Sequence, residues 1–205
     1  PQLTQSTILL GHLGGRVDSA DYPALTVTND VLNGFGGRLF NELRSRQGLA
    51  YSVYGVWDAE YDYPGTFMAG GQTRTEATVP LIQGLFSEID RLRREPIEPR
   101  ELTFAKESAL NSFIFNFADP GQVLSRLMTY EYYGYPADFL FRYQQGVKET
   151  TIEQVQRVAQ TYLDPAKAVV VVVGNQSAMK PPLTEIAPVR AIDVTIPADP
   201  FAAKS

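Results

Sequence analysis

Five consecutive valines, Val169–Val173, stand between Asp164-Pro165 and Gly174 in a chain whose second half is otherwise patterned for helices. β-Branched side chains crowd a helical turn but pack well on a pleated surface, so the run reads as a strand. The whole apolar stretch from Ala168 to Val173 is far too short to cross a bilayer, which needs about 20 residues, so membrane insertion is not expected. Its uniform apolar character predicts an interior strand, buried on both faces. The other strand candidates lie in the first half. Thr4 to Leu13 is rich in β-branched and apolar residues and ends in Gly14-Gly15. Ala50 to Tyr61 alternates, with Tyr51, Val53, Gly55 and Trp57 on one face and Ser52, Tyr54 and Val56 on the other. Tyr63-Pro64-Gly65 then turns the chain, and Thr66 to Gln72 returns as an antiparallel partner.

Between and after these strands the pattern is helical. Asp21-Tyr22-Pro23 offers an N-cap with proline in the first turn, and a helix runs from it to a stop at Asn33-Gly34. Arg38 to Gln47 predicts a second helix, with Leu39 and Leu43 four apart and Gly48 as its left-handed terminator. Val79, Ile82, Leu85, Phe86, Ile89 and Leu92 mark a third, which stops before Pro96. Pro99 to Phe117 continues the pattern, Asp119-Pro120 opens a helix to about Tyr133, and Thr151 with Gln154 forms a capping box. The expectation is one α+β domain over residues 1–205, with a proline-rich tail from about residue 175. It has a mixed or largely antiparallel sheet with helices mainly packed on one face.

Composition removes several function classes. No cysteine means no disulfide, no thiolate-bound zinc and no Cys nucleophile, and leaves the compartment open. A single histidine excludes a multi-His metal site. A net charge of −5 argues against a surface that coats nucleic acid. The chain opens at Pro1 and reads almost at once as a strand, which predicts a piece of a longer protein.

Few side chains are placed for chemistry. His12 has no carboxylate or second histidine near it in sequence, and its expected role is structural. The glycines of Asn33-Gly34-Phe35-Gly36-Gly37-Arg38 could offer backbone N–H groups to an anion or flexibility to a bound peptide. The loop lacks a Walker lysine and follows a helix, so a tight turn needing positive φ is the simpler reading. Arg91, Arg93 and Arg94 are interleaved with Glu88, Asp90 and Glu95, which predicts a solvated helix face.

Arg44 has a different setting. The stretch Gly36-Gly-Arg-Leu-Phe-Asn-Glu-Leu-Arg-Ser-Arg-Gln-Gly-Leu-Ala-Tyr-Ser-Val-Tyr54 closely resembles the second domain of the M16 (pitrilysin, or insulinase and mitochondrial-processing) zinc peptidases. Leu10-Gly-His12, Asp21-Tyr-Pro-Ala-Leu25, Glu101-Leu-Thr-Phe-Ala-Lys106, Val155 to Pro165 and Val169 to Gly174 extend the likeness in unbroken order. Members of that family pair two similar domains, in one chain or two subunits, around a closed chamber. One half binds zinc through a His-x-x-Glu-His motif and a distal Glu. The helix from Asp21 to Asn33 has no histidine, so the resemblance implies the zinc-free, "inactive" half, with no cofactor of its own and zinc in its partner. It also implies two partners, the zinc-bearing domain and a peptide substrate, and maps an Arg and a Tyr that act on the substrate onto Arg44 and Tyr51.

The local pattern is compatible with that role. A helix, Gly48 and a strand in succession can aim Arg44 and Tyr51 into one cavity. A guanidinium grips peptide carbonyls with fixed geometry, and a phenol donates to an oxygen that gains charge. The alternative is a structural subunit that keeps the fold without peptidase activity. A stand-alone anion-binding module at Gly34, Gly36 and Gly37 is the third reading.

Overall fold

The computed structural model describes residues 3–34 and 36–194. Phe35 of the glycine cluster and the end of the proline-rich tail, 195–205, lie outside the described residues. Four strands form the sheet: β1 (Gln5–Leu13), β2 (Ser52–Asp58), β3 (Thr66–Arg74) and β4 (Val169–Val173). Their order is β2-β3-β1-β4, and every pairing is antiparallel. The helices are α1 (Tyr22–Leu32), a π-helix (Phe40–Arg46), α2 (Thr78–Arg94), α3 (Pro99–Phe113), α4 (Pro120–Tyr132), α5 (Phe139–Glu149) and α6 (Ile152–Tyr162).

Side-chain alternation divides the sheet into two faces. Ile8 and Leu10 of β1 and Phe67 and Ala69 of β3 are buried beneath the helices, in one core with Val27, Val31, Leu81 and Leu85. Burying each of the larger side chains contributes about 1.5–3 kcal/mol. The opposite face bears cross-strand rows fixed by the register. Tyr54, Gly70, Leu9 and Val171 form one row; Val56, Met68, Gly11 and Val169 form the next. Ser52, Gln72, Thr7 and Val173 make a more polar row beside them.

The valine run departs from expectation. β4 pairs with β1 and is an edge strand, with Val169, Val171 and Val173 exposed while Val170 and Val172 pack on the core. Helices cover one face, so a strand of five identical residues is half buried whatever its composition. A uniform run carries no alternation from which that could be read.

Local turn chemistry follows the sequence more closely. Asp119 accepts the backbone N–H of Gln122 at 3.0 Å, and Thr151 and Gln154 close a reciprocal capping box. Asp21 stands at the N-cap of α1 without capping it. Its carboxylate accepts hydrogen bonds from Arg157 Nη1 at 3.0 Å and Tyr162 Oη at 3.1 Å, tying α1 to α6. The helix predicted to run to Phe117 ends at Phe113 and tightens into a 3₁₀ turn over Ile114–Phe117.

Candidate functional site

Arg44 and Tyr51 lie on the two sides of one chain reversal. The segment predicted as an α-helix over Arg38–Gln47 is a π-helix over Phe40–Arg46, and the Gln47 N–H donates to the Glu42 carbonyl five residues back at 3.0 Å. Gly48, at φ 62°, reverses the chain in the left-handed region that its missing Cβ allows. The Leu49 N–H then closes the turn onto the Leu43 carbonyl at 2.8 Å. On the far side the Tyr51 N–H donates to the Gln72 carbonyl at 2.8 Å, and Arg74 Nη1 donates to the Gly48 carbonyl at 3.1 Å. Thr73 Oγ1 donates to the Leu49 carbonyl. Strand β3 therefore holds the junction by its backbone and side chains together.

Both candidate side chains are exposed. Tyr51 is 56% exposed and precedes β2, so it does not share the buried setting of Val53, Gly55 and Trp57 that simple alternation gives it. The Arg44 guanidinium lies 4.9 Å from the Phe40 ring centroid. Arg46, two residues on, is paired with Glu42, whereas Arg44 has no carboxylate partner among the described residues. A cation resting on an aromatic face keeps its N–H donors in plane and free for carbonyl oxygens. There is no hydrogen bond between Arg44 and Tyr51.

At the entry to the π-helix is an ion pair that sequence reasoning missed. Arg38 is buried and makes a bidentate pair with Glu101 of α3, Nε to Oε1 at 2.6 Å and Nη2 to Oε2 at 2.9 Å. Glu101 Oε2 also accepts the Glu98 N–H at 2.8 Å and so completes the N-terminal capping box of α3. Burial pushes the Glu101 carboxyl up, but Arg38 and the Glu98 N–H hold it below its ordinary value. The Glu98-Pro-Arg-Glu101 pattern was a legible capping signal; its partner 63 residues away was not.

Glu88 is buried too, at 5% exposure, which corrects its assignment to a solvated helix face. It is on the stripe of α2 that includes Leu85, Ile89 and Leu92. Its Oε2 has no hydrogen bond, and Arg91 Nη1 is 3.6 Å away. Burial raises the Glu88 carboxyl above its usual range, with Arg91 opposing. A carboxyl raised on folding contributes stability that is full below its unfolded pKa and lost as pH rises through the folded value. Glu88→Gln is therefore expected to stabilise the chain by roughly 1 kcal/mol at pH 7 and to have no effect near pH 4. Urea unfolding midpoints at the two pH values check this.

The remaining candidates are structural in their contacts. Gly34 has φ 78°, a Cβ on Gly36 would stand 2.3 Å from the Phe104 ring, and one on Gly37 would stand 2.0 Å from the Asn33 carbonyl oxygen. The positive φ at Gly34 and the close approaches at Gly36 and Gly37 account for the three glycines as a packed turn. His12 Nδ1 donates to the Leu13 carbonyl at 2.8 Å and Nε2 accepts the Asp164 N–H at 3.2 Å, so both ring nitrogens are engaged by backbone. No group of three His, Cys, Asp or Glu among the described residues could hold a metal ion, and the residues present do not fit zinc. A cleft of about 620 Å³ beside α4, lined by Tyr61, Phe115, Gln122 and Thr129, includes none of the candidate residues.

Comparison with known proteins gives consistent matches. The family profile described as "Peptidase M16 inactive domain" matches residues 1–109. The uncharacterized zinc protease YmxG of Bacillus subtilis is 30% identical over 123 residues, covering 60% of this chain and 30% of that protein. A crystal structure of a peptidase M16 inactive domain from Pseudomonas fluorescens superposes with a TM-score of 0.79 at 28% identity, over 88% of this chain and 43% of the other. A protease from Helicobacter pylori shares the fold, with a TM-score of 0.74 at 19% identity over 84% of this chain and 42% of the other. The chain thus spans about a third of the length of the curated relative and under half of these solved chains.

Proposed function

The chain belongs to the peptidase M16 family, as an inactive domain, and from that premise we propose that it is the zinc-free half of a peptidase, completing a peptide-binding chamber opposite a zinc-bearing half. The observation that carries this reading is the junction at Gly48, which presents an Arg44 guanidinium without a carboxylate partner among the described residues and an exposed Tyr51 phenol seven residues on. Arg44 binds backbone carbonyls of an extended peptide. Tyr51 donates its phenolic proton in a hydrogen bond to the scissile carbonyl oxygen as that oxygen gains negative charge. The zinc and the attacking water belong to the other half, where a His-x-x-Glu-His motif is expected. The apolar rows of the open sheet face, Tyr54 with Leu9 and Val171 and Val56 with Met68, form the wall along which the peptide lies.

The test is reconstitution. Alone, the chain is expected to bind no stoichiometric zinc and to cleave no peptide, checked by equilibrium dialysis and a fluorogenic peptide assay. Combined with the His-x-x-Glu-His half from the same polypeptide or a partner subunit, it is expected to restore cleavage. A complex that forms and holds zinc but cleaves nothing makes the chain a scaffold of the same fold.

A further inference from the structure

The π-helix that carries Arg44 is gripped along its length, and the contacts are unequal in kind. Leu39 faces Gly55 of β2, where a Cβ would stand 3.3 Å from Leu39 Cδ1. Leu43 fits into a notch at Gly84 of α2, where a Cβ would stand 2.5 Å from Leu43 Cδ2. These apolar contacts hold by shape, because dispersion has little directional preference of its own. The entry to the segment is held differently. Phe104 and Glu101, three residues apart on one side of α3, meet Gly36 and Arg38 respectively, the first by ring contact and the second by two charged hydrogen bonds.

We propose that Arg38 and Glu101 are positioning residues for Arg44: their bidentate pair fixes the entry to the π-helix, two residues before it begins, on the N-terminal turn of α3 and thereby sets where the Arg44 guanidinium stands. The inference rests on the assignment of Arg44 to substrate binding. A π-turn holds one more residue than an α-turn, and an α-helix is the better-populated alternative for the same sequence. With Gly48 held at one end by β3 and Arg38 at the other by Glu101, the span that the residues between them must cover is set. Rewinding to α-geometry would swing Arg44 about the axis relative to Leu39 and Leu43. A buried ion pair adds little to net stability, since desolvation offsets most of its attraction, but its paired directional bonds define one register. Glu101 is itself immobilised by the Glu98 N–H, so the anchor is rigid on both sides.

The experiment is a double-substitution cycle in the peptidase reconstituted from this chain and its zinc-bearing half, assayed on an internally quenched peptide mixture of random sequence. Arg38→Lys keeps the charge and loses the fork; Glu101→Gln keeps one hydrogen bond and serves should the lysine variant not fold. Either is expected to lower kcat/KM by about tenfold to hundredfold, the scale of a small misplacement of a binding group. In an Arg44→Ala background the same substitution is expected to change kcat/KM by less than about twofold, because the residue it positions is gone. Equal losses in both backgrounds, or no loss in either variant while Arg44→Ala is impaired, overturn the positioning role. A silent Arg44→Ala, or a zinc-loaded wild-type assembly that cleaves nothing, overturns the assignment of Arg44 itself and the inference with it.

Discussion

Tyr51→Phe in the assembled peptidase is expected to lower kcat by about two to three orders of magnitude, the usual cost of removing one donor from a developing oxyanion. The substitution deletes a single hydroxyl from a side chain that is 56% exposed, and the backbone hydrogen bond from Tyr51 to Gln72 is untouched. Folding is therefore expected to be unchanged, within about 0.5 kcal/mol. The hydroxyl meets the carbonyl oxygen most strongly once that oxygen is charged, so KM should change much less than kcat. Arg44→Ala should differ in kind: the guanidinium grips the peptide before reaction as well as during it, so KM rises. Steady-state kinetics of the two variants separate these roles. Wild-type turnover from the double variant would make the pair structural and leave the chain a scaffold.

What the sequence disclosed depended on the range of the interaction. Gly48, Thr151 with Gln154 and Asp119 with Gln122 act within a few residues, and each takes the expected geometry. The strands of the hairpin were legible because their period of two is intrinsic to the backbone. Elements defined by distant neighbours were not. Val169–Val173 lies at an edge because nothing among the described residues pairs beyond it. Glu88 occurs among charged neighbours in sequence yet faces the core, since one residue in a helix is enough to cross from the polar to the apolar side. Arg38 reads as one more basic residue until Glu101 is placed beside it. The π-geometry of Phe40–Arg46 has no composition signature, and the segment is flanked on both sides by residues tied to distant elements, Arg38 to α3 and Gly48 to β3. Arg44 and Tyr51 are candidates through family resemblance alone, and the contacts that hold their junction come from residues distant in sequence.

The packing of the π-helix on α2 predicts a large stability effect at Leu43, which is fully buried with 0% exposure. Leu43→Ala removes three carbons, a methine and two methyls, from a buried site packed against Gly84 of α2, so a loss of about 2–5 kcal/mol is expected. For a domain of this size that is a fall in Tm of roughly 4–20 °C, read by thermal unfolding monitored by circular dichroism. Gly84 tells how the loss arises. In the wild-type chain an alanine there gains about 1 kcal/mol of helix propensity but drives its Cβ against Leu43 Cδ2, 2.5 Å away. In the Leu43→Ala background that contact is gone, and the new methyl fills part of the cavity. Gly84→Ala should therefore recover about 1 kcal/mol or more in the variant while giving little or nothing in the wild type. Identical effects in both backgrounds would mean that Leu43 does not anchor the π-helix on α2. The placement of Arg44, the next residue along, would then depend on the Arg38–Glu101 pair and the Gly48 turn.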